Sequence, residues 1–203
     1  MLLECRNLAY RYSGGPYVFR GVSLSVASGE AVGLIGPSGC GKTTLGRILA
    51  GYAAAAEGTV LLDGKPIPPK GYHPVQMVFQ HPEKAVNPRW RLRRTLAESR
   101  MPEAAELRRL GIDEAWLDRW PHELSAGELQ RICIARALGP RTRFLIADEM
   151  TAMLDAITQA QIWHAVLAIA KERAIGMLVI THDRALAEAV CDRVVTWDRL
   201  SIG

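Results

Sequence analysis

The residues best suited to bind a polyphosphate lie in one glycine-rich stretch, Gly36-Pro37-Ser38-Gly39-Cys40-Gly41-Lys42-Thr43-Thr44. Glycines at its first and sixth positions, followed by Lys and Thr, fit the pattern of a phosphate-binding loop. The glycines let backbone N–H groups face an anion, the lysine reaches the β- and γ-phosphates, and the threonine hydroxyl ligates Mg²⁺. The stretch predicts a nucleotide-binding loop; a glycine-rich turn without a ligand is the alternative.

Two apolar stretches are followed by side chains that can do acid–base chemistry. Asp148 and Glu149 follow the apolar residues 144–147, and buried strands seldom end in charges unless these meet a metal or an active-site water. In phosphate-loop proteins such an Asp steadies Mg²⁺, and the adjacent Glu149 is placed to polarise water as a general base. His182 follows the apolar residues 175–180. It is either a lone polar residue or, at the carboxyl edge of a parallel sheet, a catalytic candidate.

Three further positions each allow two interpretations. Gln80 follows the predicted buried strand at residues 75–79, either as a strand-end cap or as a side chain that reaches a bound metal or water. Tyr12 lies on a predicted strand, where it either packs or stacks on an adenine ring. Ser125 and Glu128 fit the Ser-x-x-Glu capping box of a helix N-terminus. A helix start is also an anion site, so the spacing alone does not decide between these roles.

The elements that must position these residues alternate between strands and helices. Periodicity predicts strands at residues 2–12, 18–27, 31–35, 58–64, 75–79, 143–149, 175–180 and 193–197. It predicts helices at residues 44–50, 92–99, 102–110, 113–120, 132–138, 155–172 and 185–191. Residues 65–74 are proline-rich and predict a loop. The pattern indicates an α/β protein whose first two strands pair antiparallel.

The composition of the 203 residues, 49% hydrophobic and 23% charged, is typical of a globular protein with one core. No run approaches the ~18 apolar residues of a membrane span, and charges near Met1 predict that there is no export signal. The four cysteines form no Cys-x-x-Cys pair, which favours a reducing compartment over disulfides or a zinc site. A net charge of +4 is compatible with nucleic acid, anionic lipid or nucleotide phosphates and does not choose among them.

Taken in order, these motifs resemble those of the ATP-binding subunits of ABC transporters. Residues 36–44 look like the Walker A loop, residues 124–128 like the Leu-Ser-Gly-Gly-Gln signature, and residues 145–149 like Walker B. Gln80 resembles the Q-loop glutamine, Asp155 the D-loop aspartate, and His182 the switch histidine. The resemblance implies a P-loop NTPase fold with a RecA-like core and an antiparallel β subdomain (residues 1–80 and 144–203). It also implies an inserted α-helical subdomain at residues 81–143.

The resemblance further implies ATP and Mg²⁺ as cofactors, and it assigns roles to individual residues. The residues implied to be catalytic are Glu149, His182, Gln80 and Lys42, and those implied to contact the metal are Thr43, Gln80 and Asp148. The residues implied to contact the nucleotide are Tyr12, Gly36, Pro37, Ser38, Gly39, Cys40, Gly41, Lys42, Thr43, Thr44, Ser125, Gly127, Glu128 and Asp155. The signature departs from the family at Ala126 and Glu128. Because Ser125 and Gly127 are kept, activity is expected, although a carboxylate near the γ-phosphate could weaken dimer closure.

Within the family, Val78-Phe79-Gln80 followed by Asn87-Pro88-Arg89 is similar to the peptide and nickel importer branch. This similarity implies a peripheral ATPase at the cytoplasmic face of the cell membrane that powers import of nickel, a nickel chelate or peptides. The implied partners are a second ATPase subunit, identical or different, membrane permease subunits and, indirectly, an extracytoplasmic solute-binding protein. The alternative is a non-transport ATPase, either an accessory subunit of a metabolic complex or a DNA-associated enzyme. The interval between Gln80 and the signature has no room for the coiled coils or zinc modules of DNA-repair ATPases, so no nucleic acid is expected.

Overall fold

The computed structural model describes residues 1–68 and 70–200, and its strands form two sheets. The antiparallel sheet consists of β1 (Leu2–Arg11), β2 (Tyr17–Ala27), β4 (Glu57–Leu62) and β5 (Lys65–Pro66). The parallel sheet consists of β3 (Ala31–Ile35), β6 (Val75–Val78), β7 (Phe144–Asp148), β8 (Gly176–Thr181) and β9 (Arg193–Thr196). The strand orders are β2-β1-β4-β5 and β6-β7-β8-β3-β9.

The α-helices of the described residues are α1 (Lys42–Leu49), α2 (Leu92–Ala97), α3 (Ala104–Arg109), α4 (Ala126–Ala137), α5 (Ala156–Glu172) and α6 (Arg184–Val190). Short 3₁₀ segments lie at Pro82–Lys84, Glu114–Asp118, Pro121–Glu123 and Trp197–Arg199. Helices α2, α3 and α4 all lie between β6 and β7 in the chain. Among the described residues, no helix is both long and apolar enough to cross a membrane.

Side chains of the parallel sheet alternate between two apolar clusters. On β7, Leu145 and Ala147 pack in the cluster formed with α2 to α5, whereas Phe144 and Ile146 pack in the cluster formed with the antiparallel sheet and α1. Successive side chains of a strand point to opposite faces, which produces this alternation. Every residue of β7 and β8 is buried, because helices cover one face and the second sheet covers the other. This double burial explains why both strands are continuously apolar in the sequence.

The α/β class predicted from the sequence is confirmed, and the differences concern short segments. Residues 65–74 were expected to be a loop, but Lys65–Pro66 forms an edge strand paired with Leu61 and Leu62. Proline is tolerated there because an edge strand does not need every N–H group for pairing. Pro69, in the same expected loop, lies outside the described residues. The helix expected at 113–120 is the 3₁₀ segment Glu114–Asp118, and the last strand ends at Thr196, one residue earlier than expected.

Candidate functional site

The predicted site residues of the phosphate loop, Walker B and switch histidine lie at one edge of the parallel sheet. Ile35, the last residue of β3, is in register with Thr181, and Asp148 is in register with Ile180. The residues that follow β3, β7 and β8 therefore lie close together at the ends of these strands. Ligands of open parallel sheets bind at this carboxyl edge.

The phosphate loop wraps around the side chain of its own lysine. Helix α1 begins at Lys42, after Gly41 with φ of +113°, a conformation that residues with a side chain rarely adopt. The Lys42 side chain is only 6% exposed, and its Nζ donates to the carbonyl oxygens of Gly36 and Pro37, both at 2.7 Å. The loop thus holds an ammonium group at its centre, and this group can exchange carbonyl acceptors for phosphate oxygens.

Thr43 and Asp148 form a pair with the donor chemistry that Mg²⁺ prefers. The Thr43 hydroxyl donates to Asp148 Oδ1 at 3.0 Å. Burial raises the pKa of the Asp148 carboxyl, and the hydrogen bond from Thr43 partly opposes this effect. Magnesium binds one or two carboxylates and completes its octahedron with phosphate oxygens and water, so this pair fits the ion. Gln80 lines the same cavity of about 490 Å³ as Thr43 and Asp148.

Glu149 and His182 form a second pair next to this cavity. His182 Nδ1 lies 3.1 Å from Glu149 Oε1, and both residues line a cavity of about 130 Å³. Glu149 has φ of +46°, and such a conformation in a residue with a side chain costs about 1–3 kcal/mol and is found at active sites as well as in turns. Its N–H donates to the carbonyl of Ile180 at 2.9 Å. The strand end therefore turns the carboxylate towards His182.

The signature residues lie at the N-terminus of α4, where the predicted capping box is confirmed. The N–H of Ser125 donates to Glu128 Oε2 at 2.7 Å, and the N–H of Glu128 donates to Ser125 Oγ at 3.3 Å. The carboxylate of Glu128 thus folds back onto the helix start. Ser125, Gly127 and Glu128 line a cavity of about 540 Å³ together with Asp155.

Asp155 caps the start of α5, as the sequence predicts. Its Oδ1 accepts the N–H groups of Ile157 and Thr158, both at 3.0 Å, and its Oδ2 accepts the Thr158 hydroxyl at 2.7 Å. The hydrogen bond from the Thr158 hydroxyl is the main reason why the pKa of Asp155 is lowered. This carboxylate is held ionised by local hydrogen bonds in an exposed position.

The structure brings some of the predicted site residues together and leaves others apart. Thr43, Gln80 and Asp148 share one cavity, and Ser125, Gly127 and Asp155 share another. Among the described residues, the two cavities have no lining residue in common. Tyr12 is 61% exposed. Among the aromatic rings of the described residues, its ring pairs only with that of Tyr10, edge to face, with centroids 5.1 Å apart and an interplanar angle of 87°. The predicted nucleotide-site residues therefore line two different cavities of one chain.

Two residues that sequence reasoning did not single out, Phe19 and Trp197, pack against the phosphate loop. A side chain at Gly36 or Gly41 would overlap with them, because a Cβ there would lie 2.6 Å from Trp197 Cβ and 2.8 Å from Phe19 Cδ1, respectively. The sequence contains a hint of this packing, since a large aromatic residue directly after the last strand needs a covered site. Nothing in the sequence indicates that this site is the phosphate loop.

The loop around Lys42, the Thr43–Asp148 pair and their place at the edge of the parallel sheet define a P-loop nucleotide-binding protein. The family model described as ABC transporter matches residues 19–152 of the chain. The Nickel import ATP-binding protein NikE of Escherichia coli is 36% identical, over 97% of this chain and 84% of that protein. Its counterpart in Shigella sonnei has the same identity and coverage.

Solved structures agree with the sequence relatives. The structure of cbiO1 from Clostridium perfringens, described as part of the ABC transporter complex cbiONQ, is 28% identical and matches with a TM-score of 0.79 over 96% of this chain and 83% of that chain. The dimeric structure of the bacterial ABC transporter cassette MJ0796 matches with a TM-score of 0.78 over 96% of this chain and 93% of that chain. At 22% identity, it supports the fold alone. The chain belongs to the ABC transporter family, and it is an ATP-binding subunit that hydrolyses ATP. The predicted family, fold and enzyme class are confirmed.

Proposed function

We propose that this chain is the ATPase subunit of an importer in which two such subunits enclose ATP between them. The phosphate loop of one subunit faces the N-terminus of α4 of the other. The observation that carries the proposal is that, among the described residues, Ser125 and Gly127 line neither the cavity of Thr43 and Asp148 nor the cavity of Glu149 and His182. Each chain then supplies both halves of a γ-phosphate site at two different places, and a second subunit completes them.

The α4 half has the donors that this role needs. Ser125 Oγ already accepts the N–H of Glu128, and a hydroxyl that accepts one hydrogen bond still has its proton to donate to a phosphate oxygen. The first turn of α4 presents its N–H groups and the positive end of the helix dipole to the same side. Ser125 is exposed, so a nucleotide held by another subunit can reach it.

Magnesium fits the loop half. Thr43 and Asp148 would hold it, with Gln80 reaching into the same cavity. When bound, the ion would neutralise negative charge on the β- and γ-phosphates. The buried carboxylate of Asp148 has a raised pKa, and a nearby cation favours its ionised form.

In the proposed reaction, Glu149 orients water and accepts its proton. The water oxygen attacks the γ-phosphorus while the bond to the bridging oxygen breaks, and ADP and phosphate leave. His182 holds the carboxylate 3.1 Å from its Nδ1 and contacts the γ-phosphate. Lys42 moves its hydrogen bonds from the carbonyls of Gly36 and Pro37 to phosphate oxygens. Loss of the γ-phosphate removes the bridge between subunits, so the dimer opens.

The cargo we propose is nickel or a nickel chelate. The support is the function of the relatives at 36% identity, which are named as nickel import ATP-binding proteins. We propose that the segment of residues 81–143 docks on a membrane permease at the cytoplasmic face. The second ATPase subunit is a copy of this chain or a different one, and an extracytoplasmic solute-binding protein delivers the cargo.

The dimer proposal is tested by measuring the mass of the Glu149→Gln variant with light scattering after size-exclusion chromatography, with any partner subunit present. We expect ATP to convert this variant into a dimer, because the γ-phosphate bridge persists, and ADP to leave it monomeric. The double variant Lys42→Ala/Glu149→Gln is the matched control and should stay monomeric in both nucleotides. A mass that does not respond to ATP would contradict the proposal.

The cargo is tested by uptake of radioactive nickel into cells that produce the complete transporter. Uptake should stop when the chain carries Lys42→Ala and continue with Lys171→Ala, an exposed lysine near the end of α5. Uptake of labelled peptides in place of nickel would overturn the nickel assignment and support the peptide branch. If neither cargo depends on Lys42, the transport role itself is wrong.

A further inference from the structure

Two buried aromatic rings pack against the phosphate loop, one from the antiparallel sheet and one from the segment that follows the last strand of the parallel sheet. Phe19 belongs to β2 of the antiparallel sheet, and Trp197 begins the 3₁₀ segment that follows β9 of the parallel sheet. Both side chains are 5% exposed. Their rings meet edge to face, with centroids 5.5 Å apart and an interplanar angle of 81°. This geometry is a favoured one for an aromatic pair.

The two rings touch the loop at the glycines that open and close its turn. A Cβ on Gly36 would lie 2.6 Å from Trp197 Cβ, an atom fixed to the backbone that has little freedom to move. A Cβ on Gly41 would lie 2.8 Å from Phe19 Cδ1 and 3.2 Å from Trp197 Cζ2. The absence of side chains at both positions lets the loop lie directly on the rings. Close-packed interiors transmit such constraints, because neighbours have no free volume to move into.

A line of aromatic rings continues from this pair to the exposed Tyr12. Phe19 stacks on Tyr10, with centroids 6.3 Å apart and an interplanar angle of 27°, and Tyr10 meets Tyr12 edge to face at 5.1 Å. Tyr12 is the side chain expected to stack on adenine. The rings therefore join the base side of the nucleotide site to its phosphate side through direct contacts.

We propose that Phe19 and Trp197 are positioning residues that hold the phosphate loop in its phosphate-binding shape and fix its distance from Tyr12. Both side chains lie against the glycines of the loop, so they act through the loop backbone. The inference rests on the proposed function, because it assumes that this loop binds the triphosphate. It adds that part of the affinity for the triphosphate depends on apolar contacts behind the loop.

The test compares two identical substitutions in one core. Phe19 and Phe144 belong to the same apolar cluster, and both are buried. Phe144 begins β7, at the opposite end of that strand from Asp148. Phe19→Leu and Phe144→Leu should both lower the melting temperature. Only Phe19→Leu should weaken binding of inorganic tripolyphosphate and of ATP, by roughly five- to tenfold, as expected for loss of one aromatic contact that preorganises a site.

Two variants at Trp197 complete the design. Trp197→Leu should weaken tripolyphosphate binding as Phe19→Leu does, whereas Trp197→Phe, which keeps a ring, should recover most of the affinity. Addition of tripolyphosphate should change the tryptophan fluorescence of the wild type, because the Trp197 ring touches the loop. Trp197→Phe should abolish the contribution of this ring. Equal affinities for Phe19→Leu and Phe144→Leu would overturn the inference, and so would a fluorescence change unaltered by Trp197→Phe.

The Lys42→Ala variant separates failure of this inference from failure of the proposed function. If Lys42→Ala loses tripolyphosphate binding and the variants at Phe19 and Trp197 keep it, the rings do not position the loop and only the inference is wrong. If Lys42→Ala binds tripolyphosphate as well as the wild type does, the loop is not the phosphate site. Both proposals then fall together.

Discussion

The two halves of the proposed ATP site hold their polar side chains in different ways. At the phosphate loop Lys42 and Asp148 are buried and Thr43 is half-buried, and the Thr43–Asp148 hydrogen bond joins residues 105 positions apart. At the starts of α4 and α5 the polar side chains are exposed, and their partners lie three residues away, as for Ser125 with Glu128 and Asp155 with Thr158. Tertiary packing thus organises the loop half, and local capping organises the signature half.

The two aspartates of the site show the same contrast in their electrostatics. Burial raises the pKa of Asp148, whereas hydrogen bonds led by that of the Thr158 hydroxyl lower the pKa of Asp155. The carboxylate of Asp148 is therefore in a place that destabilises its charge until a cation is near. This difference is consistent with the proposal that the loop half binds nucleotide and metal by itself, whereas the signature half adds contacts only when a second subunit closes on it.

The largest effect we expect is on turnover in the loop half. Glu149→Gln should lower the rate of ATP hydrolysis by roughly 10²–10⁴-fold, because the side chain no longer accepts a proton from water. ATP affinity should stay within about twofold of the wild type, since the change leaves Lys42, Thr43 and Asp148 in place. Steady-state phosphate release and equilibrium ATP binding are the measurements. Undiminished hydrolysis in this variant would remove Glu149 from the role of general base.

The next effect separates the two halves directly, through ATP affinity of the single subunit. Lys42→Ala should weaken ATP binding by about 100-fold, which corresponds to loss of charge-assisted hydrogen bonds worth roughly 3 kcal/mol. Ser125→Ala should leave this affinity unchanged and lower only turnover in the assembled dimer. Calorimetric titration at concentrations where the subunit is monomeric measures both. If Ser125→Ala weakens ATP binding by the monomer, the two halves are not independent.

The same contrast explains what the sequence could and could not predict. The capping box of Ser125 and Glu128 and the helix start at Asp155 involve residues up to three positions apart, and both were predicted from spacing. In the loop half, the phosphate-loop pattern identified Lys42 and Thr43, and the end of an apolar strand identified Asp148. The contact between Thr43 and Asp148 depends on strand order, which local patterns do not encode.

Other features that the sequence did not reveal have the same physical origin. The positive φ of Glu149 and the packing of Phe19 and Trp197 on the loop arise where separate strands meet. The edge strand Lys65–Pro66 was missed because its proline predicts a loop, and only its pairing with β4 shows otherwise.

A smaller effect concerns the stability of the folded chain as a function of pH. A raised pKa means that the folded state favours the protonated form of Asp148. The stability contributed by this protonated carboxyl is therefore present below the unfolded pKa of about 4 and is lost as pH rises through the raised value. Asp148→Asn should therefore raise the melting temperature at pH 7 by about 2–4 °C, as ~1 kcal/mol does in a domain of this size. The gain should shrink as pH falls towards 4.

Asp155→Asn is the matched control for that experiment, with the opposite sign. A lowered pKa means that the ionised carboxylate stabilises the fold above its ordinary pKa, and that this contribution is lost as pH falls through the lowered value. The variant should melt below the wild type at pH 7, and the difference should decrease towards pH 3. Calorimetry without nucleotide measures both variants. If Asp148→Asn melts below the wild type at pH 7, burial does not destabilise the ionised Asp148 carboxylate.

The smallest effect we expect is at the carboxylate in the signature. Glu128→Gln restores the residue usual in the family, and the sequence alone suggests that removing a negative charge near the γ-phosphate should help closure. In the structure, however, the Glu128 carboxylate accepts the N–H of Ser125 at 2.7 Å and lies at the positive end of α4. Glutamine can make the same capping contact. Turnover of the assembled dimer should therefore change by less than about threefold, which is ~0.6 kcal/mol.

Glu128→Ala serves as the control, because it removes both the charge and the cap. It should lower the melting temperature and reduce turnover more than Glu128→Gln does, since the Ser125 N–H loses its acceptor and the hydroxyl loses its fixed direction. A tenfold or larger increase in turnover by Glu128→Gln would show that the carboxylate repels the γ-phosphate during closure. The signature half would then be governed by charge across the dimer interface, and local capping would not be what organises it.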